Sequence, residues 1–415
     1  MTPEMLPEMK DVTITRVGAQ GDGVAETDAG PVFVPLALLG ERVSALVSGD
    51  RGRLVNVLTA SPDRVLPLCR HFGSCGGCAL QHMAPAVYQE WKRDQAIAAF
   101  RSRGIDADVS AIVTPNGHRR RATLTARRDA MGVRLGFHHA ASHDLVDIVE
   151  CVVSDPRIVA ALPGLKVLLE PLVSRRGDVR VSVTLTDCGL DVDLDGVNRS
   201  LTPDVRSRLG QQAYALGLAR LTLASDVVYE AMPPVLRFGG ADVRVPPVTF
   251  VQAMADAEAA MARLVTDAVG KVKSTADLFA GVGAFTFPLA ARAKVFAVDS
   301  DKAAIAALTQ GVRTATGIKP ITTLVRDLMR EPLSALELKD FDAVVFDPPR
   351  AGAEAQARML AKSKVKTVVA VSCNLATLAR DARILIDGGY RMEAVTPIDQ
   401  FLYAAHIEAV VAFRR

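Results

Sequence analysis

Asp277-Leu278-Phe279-Ala280-Gly281-Val282-Gly283-Ala284-Phe285 closes an apolar, strand-like run on a glycine turn and leads into a helix. Glycines at such a turn let the backbone approach a ligand closely. On either side, strand-like runs (TADLFA, KVFAVD, DAVVFDPP, TVVAVSC, EAVVAF) alternate with helical stretches. That alternation predicts an α/β fold with a doubly wound parallel sheet and ligands at the carboxyl ends of the strands. KVFAVD ends in Asp299, where an acidic side chain can take the two hydroxyls of a ribose. The turn is not the three-glycine dinucleotide fingerprint, and there is no Walker sequence. The expected cofactor is therefore S-adenosylmethionine rather than NAD or ATP. Asp327, in LVRDLM after the third strand, is a candidate partner for the adenine ring.

At the same edge, FDAVVFDPPR ends in Asp347-Pro348-Pro349-Arg350, where two prolines stop the strand and fix Asp347 beside the cofactor. Related Asp/Asn-Pro-Pro motifs of amine methyltransferases carry an aromatic residue where Arg350 stands. VVAVSCNLATLARD puts Cys373 at the end of an apolar strand and near a helix start, a setting that can lower a thiol pKa. A cysteine there suits carbon-5 chemistry on uracil. Thiolate addition at C6 makes C5 enolate-like, and after methylation a base must remove the C5 proton. The last segment, LYAAHIEAVVAF, offers His406 and Glu408 as that base. Gln252, in PVTFVQAM, stands at a loop-to-helix junction from which an amide could reach both cofactor and base.

The chain's 415 residues allow two or three domains, and 49% hydrophobic with 23% charged residues is a globular composition. No apolar run reaches the roughly 20 residues of a membrane span, and the N-terminus lacks a signal-peptide core. A cytoplasmic protein is expected. A net charge of +3 permits a nucleic-acid partner without requiring one. Short alternating runs over residues 12–60, broken by GAQGDG, DAG and SGDRG, predict a small β-barrel of about five strands in a domain spanning 1–66. Residues 67–245 then hold a cysteine loop, an amphipathic helix near 86–104 and a mainly antiparallel β domain; residues 246–415 form the cofactor-binding domain. Cys69-x5-Cys75-x2-Cys78 with the distant Cys151 could hold zinc or an iron–sulfur cluster, and the three-plus-one spacing favours [4Fe-4S]. His118-Arg119-Arg120-Arg121, with Arg127 and Arg128, is expected to line a surface for phosphates.

Together these residues resemble the RNA uracil-5 methyltransferase family, and more closely its iron–sulfur branch that acts on 23S ribosomal RNA. The resemblance runs through GDGVAETDAGPVFVPLALLGERV (a TRAM-type barrel), CRHFGSCGGCALQH with Cys151, HRRRATLTAR, FVQ, DLFAGVGAFTFPLA, DPPRAG, SCN and HIE. It implies Cys373 as nucleophile, Glu408 as the proton-removing base, and cofactor contacts at Gln252, Phe279, Ala284, Asp299, Asp327 and Asp347. It also implies a structural or RNA-positioning [4Fe-4S] cluster on Cys69, Cys75, Cys78 and Cys151, and a single-chain enzyme on structured RNA. The transfer RNA branch lacks the barrel and cluster; a non-catalytic RNA-binding protein of this fold would not need Cys373, Glu408 and Asp347. Met254, Glu258 and Ala284 replace frequent asparagines, and Leu402-Tyr403-Ala404-Ala405 departs from the usual Pro-x-Thr. These departures bear on which uridine is the target.

Overall fold

A computed structural model describes residues 6–175, 177–197 and 201–415. They form two compact units interleaved along the chain. The first comprises Met1–Gln95, Phe137–Val152 and Phe401–His406; the second comprises Ala96–Gly136, Val153–Gln400 and Ile407–Arg415.

In the first unit, strands Glu8–Thr13, Arg42–Ser48, Arg51–Thr59, Gly30–Val34, Gly23–Thr27 and Arg16–Val17 pair in that order into one six-stranded sheet. Its alternating inward residues, among them Val32, Val34, Val43 and Ala45, make one apolar core. Beneath the loops, Glu41 is fully buried and holds Arg64 in a two-point ion pair of 2.5 and 2.7 Å. Lys92, equally buried, donates to the carbonyls of Phe401 and His406 at 3.2 and 3.0 Å, and its ammonium lies 5.0 Å from the Tyr88 ring. The two carbonyls and the ring face offset part of the cost of burying an ammonium.

The second unit contains two large sheets. In one, strands Asp226–Glu230, Leu218–Leu223, Gly189–Asp195, Val179–Thr186, Arg121–Asp129 and Gly132–His138 follow one another. Pairing is antiparallel except between Gly189–Asp195 and Leu218–Leu223. A parallel neighbour requires a crossover, supplied by helix Pro203–Ala215, whose first turn is capped by Thr202 with Pro203 behind it.

The other sheet orders its strands Ile321–Val325, Lys294–Asp299, Ser274–Leu278, Ala343–Phe346, Thr367–Ser372, Glu408–Arg414 and Arg391–Ile398. The first five are parallel, as the β/α alternation predicts. The last two are not: Glu408–Arg414 runs antiparallel to both neighbours. Helices Ala255–Val269, Lys302–Thr314 and Leu375–Asp387 cover faces of this sheet with their apolar stripes; the central strands are almost wholly buried, while the edge strands Ile321–Val325 and Arg391–Ile398 are partly exposed. Among the described residues no helix is long and apolar enough to cross a membrane.

Candidate active site

Parallel register aligns the strand ends. Leu278 lies beside Val298 and Phe346, and Phe346 beside Ala370. The residues that follow, Phe279, Asp299, Asp347 and Cys373, therefore emerge at one edge of the sheet. The chain leaves Leu278 in an unusual conformation, with φ of +62° at Phe279, +53° at Gly281 and +101° at Gly283. The first is costly for a non-glycine residue, and such outliers concentrate at ligand sites. A Cβ on Gly283 would stand 2.7 Å from the Phe287 ring, so only glycine fits. Asp299 braces the turn by accepting from the N–H of Gly281 at 2.9 Å and of Asp301 at 2.8 Å. Ala284 is half-buried and packs beside Val282 and Phe287. Asp327 lies one strand further out, its carboxylate accepting from Met329 N–H at 3.0 Å and facing Arg330 at 3.5 Å.

The antiparallel strand completes the edge. Ser372 pairs with Ala409, so the beginning of the final strand, Glu408, meets the end of the strand that delivers Cys373. Side by side there, four side chains form one hydrogen-bonded chain. Gln252 Nε2 donates to Asp347 Oδ2 at 3.0 Å; Gln400 Nε2 donates to Gln252 Oε1 at 2.9 Å and to Glu408 Oε1 at 2.7 Å. The structure thus joins three of the sequence candidates, Gln252, Asp347 and Glu408, through a residue the sequence reading missed. Gln400 is a polar residue in an apolar-flanked loop, with no motif to mark it. His406 does not join this group: it is exposed, and its carbonyl and ring are bound to Lys92 and Phe401 within the first unit.

The electrostatics reverse one expectation. A helix start was expected to lower the Cys373 thiol pKa; instead the thiol is pushed up to about 11, by burial first and then by Glu408 and Asp347, with Arg350 opposing. The helix N-terminus gives little help because Asn374 occupies it, its Oδ1 accepting from Ala376 and Thr377 N–H while its Nδ2 ties down the Arg350 carbonyl at 2.9 Å. Glu408 is likewise raised, chiefly by burial and by the Asp347 charge, against its bond from Gln400 and the field of Arg350. Burial also raises Asp347, opposed by Gln252. Beneath the glycine turn, Asp277 is buried and raised to about 7 by burial, though Thr286 donates to it at 2.5 Å.

The arginine strand also differs from expectation. Arg120 is buried, pairs with Glu258 at 2.6 Å and donates from Nε to the Gln252 carbonyl at 3.0 Å. Arg127 grips Asp178 at 2.7 Å with two nitrogens, and Arg128 caps the Val173 carbonyl at 2.8 Å. Arg121 is drawn over the Phe250 ring, 5.6 Å from its centre. These side chains serve the protein's own framework first. Glu258, where the family resemblance expects asparagine, thereby finds its partner.

In the first unit, Cys69, Cys75 and Cys151 lie within one another's electrostatic field, and burial followed by neighbouring negative charge raises Cys69 and Cys75. The Cys75 sulfur accepts from Gly77 N–H at 3.4 Å, and Gly76, whose Cβ would meet the His138 carbonyl at 2.9 Å, packs the loop tightly. Among the described residues, no group of three or more His, Cys, Asp or Glu side chains is arranged to hold a single metal ion.

An α/β sheet whose parallel strand ends carry a glycine turn braced by an aspartate, closed by an antiparallel pair, is the architecture of a nucleoside-cofactor methyltransferase domain. The family model described as tRNA (Uracil-5-)-methyltransferase matches residues 219–415. An RNA methyltransferase of Rhizobium meliloti (strain 1021) is 47% identical over 411 residues, covering 97% of this chain and 99% of its own. The 23S rRNA (uracil(1939)-C(5))-methyltransferase RlmD of Chromohalobacter salexigens is 34% identical, over 97% of this chain and 89% of its own. The crystal structure of Pyrococcus abyssi tRNA (uracil-54, C5)-methyltransferase with S-adenosyl-L-homocysteine superposes with a TM-score of 0.74 at 24% identity, over 97% of this chain and all of that one, and shares the fold. The chain belongs to the S-adenosylmethionine-dependent RNA uracil-5 methyltransferase family.

Proposed function

We propose that this enzyme methylates carbon 5 of a uridine in structured RNA through a covalent adduct on Cys373, with Glu408 as the proton-removing base. The observation that carries the reading is the pairing of Ser372 with Ala409, which brings the buried Glu408 beside the half-buried Cys373 at one sheet edge. S-adenosylmethionine supplies the methyl group, and Gln252, Phe279, Ala284, Asp299, Asp327 and Asp347 would hold it there. Cys373 sulfur bonds to C6 as its proton leaves to water, and the ring's electrons shift toward C5 and O4. The new C5–CH3 bond forms as the donor's sulfur–methyl bond breaks. Glu408 then takes the C5 proton; the freed electron pair re-forms C5=C6 and expels the Cys373 thiolate. Because a thiolate is intrinsically more basic than a carboxylate, the proton on Glu408 passes downhill to the departing sulfur.

The test is Glu408→Gln, which keeps shape but accepts no proton. A denaturation-resistant protein–RNA adduct carrying labelled methyl should accumulate, and Cys373→Ala should abolish it. Normal turnover in Glu408→Gln would overturn the assignment.

23S ribosomal RNA is the substrate we favour, since a relative of 34% identity over nearly the whole chain is named for that activity. We further propose a monomer working in the cytoplasm, an RNA-binding role for residues 1–66, the iron–sulfur loop and central domain at 67–245, and methyl transfer at 246–415. Cys69, Cys75, Cys78 and Cys151 would hold a [4Fe-4S] cluster: three cysteines within ten residues and a distant fourth, with an N–H directed at the Cys75 sulfur, are a donor set that iron–sulfur chemistry suits. Iron in anaerobically purified protein, lost in Cys151→Ser, checks this. Zinc without iron would refute it.

A further inference from the structure

We propose that Gln400 is the positioning residue of the proton-removal step: it fixes Glu408 through one carboxylate oxygen and leaves the other free to take the C5 proton. The inference rests on Glu408 being the base. A glutamine amide nitrogen carries two hydrogens. Gln400 uses both, one on Glu408 Oε1 at 2.7 Å and one on Gln252 Oε1 at 2.9 Å. Its own rotation is thereby fixed from two sides, and so is the plane of the Glu408 carboxylate. The second oxygen, Glu408 Oε2, is buried with no hydrogen-bond partner among the described residues, and so is Gln400 Oε1. Buried acceptors of this kind are costly unless something fills them during the working cycle. Glu408 is 3% exposed and Gln400 1%, so water in bulk does not supply that partner. A hydrogen arriving from carbon 5 of a base held on Cys373 fits Oε2.

The chain continues to the cofactor edge, because Gln252 donates onward to Asp347 at 3.0 Å. Amides do not pass protons readily under these conditions, so what travels along Asp347–Gln252–Gln400–Glu408 is geometry. A shift of Asp347 is felt at the base through two locked amides. Gln400 also stabilises the ionised form of Glu408, against burial and the Asp347 charge, alongside the field of Arg350; the neutral Cys373 thiol is the other titratable neighbour.

The experiment follows single turnover of labelled methyl into RNA, separating adduct formation from adduct release over pH 6 to 10. Gln400→Met keeps the volume and removes the donor. Adduct should form at the wild-type rate, while release slows on the order of tenfold and its rising limb moves to higher pH by about one unit, since a lost hydrogen bond to a carboxylate raises its pKa. S-adenosylmethionine affinity should fall by less than the roughly tenfold loss in release, since Gln252 keeps its own bond to Asp347. Gln400→Glu keeps both shape and polarity and gives the second measurement if the methionine variant fails to fold; once ionised it should slow release more strongly. Release with wild-type rate and pH profile in whichever variant folds overturns the role of Gln400, provided Glu408→Gln traps adduct. If Glu408→Gln traps none, the base itself is misassigned, and the inference falls with it.

Discussion

Replacing Arg120 with methionine should expose how the buried ion pair supports the site. Arg120 and Glu258 are 8% and 7% exposed, and Arg120 spends one nitrogen on the Glu258 carboxylate and another on the Gln252 carbonyl. Removing one partner of a buried pair leaves an uncompensated charge and costs about 3–5 kcal/mol. Glu258 is already raised by burial, with Arg120 opposing, so without the guanidinium it rises further and escapes by taking up a proton. The sign follows: a raised folded-state pKa gives stability that is lost as pH rises through it, so Arg120→Met should cost more at pH 8 than at pH 5. Urea denaturation at both values measures this. In the double variant Arg120→Met, Glu258→Leu the buried charge is gone, and stability should return to within about 1 kcal/mol of wild type. Turnover should not return, because the Gln252 carbonyl still lacks its Nε donor and the amide that joins Asp347 to Gln400 is no longer tethered. A loss below about 1 kcal/mol at pH 8 in the single variant would refute the reasoning. A double variant that regains full turnover would show that Arg120 supports stability alone.

Three further outcomes are expected. Asp299→Ala should weaken S-adenosylmethionine binding by on the order of 1.5–3 kcal/mol in calorimetry, through a lost charge-assisted hydrogen bond and a loosened Gly281 turn; unchanged affinity would put the ribose elsewhere. Alkylation of Cys373 by iodoacetamide in the free enzyme should accelerate about tenfold per pH unit through pH 9, as only the thiolate reacts and the thiol is pushed up to about 11; a plateau near pH 7 would contradict the field assigned to Glu408 and Asp347. Asp277→Asn should stabilise the fold at pH 8 and not at pH 4, because the stability owed to the raised carboxyl is present below its unfolded value of about 4 and lost as pH rises through about 7; equal effects at both pH values would refute it.

What the sequence disclosed and what it hid divide along one physical line. Apolar runs ending in glycine, aspartate or proline mark where a chain stops being buried, so DLFAGVG, KVFAVD and VVFDPP gave away the parallel strands and the edge where they end. Direction within a sheet leaves no such mark. EAVVAF is as apolar as a parallel strand would be, yet it runs antiparallel, and that reversal alone brings Glu408 to Cys373. Pairing partners were equally hidden: HRRR reads as a basic face, while Arg120 turns inward because Glu258, 138 residues later, waits for it. Gln400 carries no periodicity at all. The thiol is the sharpest case. Sequence position suggested a helix N-terminus and a ready thiolate, but Asn374 spends those N–H groups, and the buried Glu408 and half-buried Asp347 carboxylates face the sulfur. A high resting pKa is compatible with the proposed chemistry. Oxidants attack thiolates, so a nucleophile kept neutral is protected while the site is empty. In the proposed reaction it would become reactive only when a ring that can draw its charge toward O4 lies against it, and would leave again as the stronger base, carrying off the proton taken by Glu408.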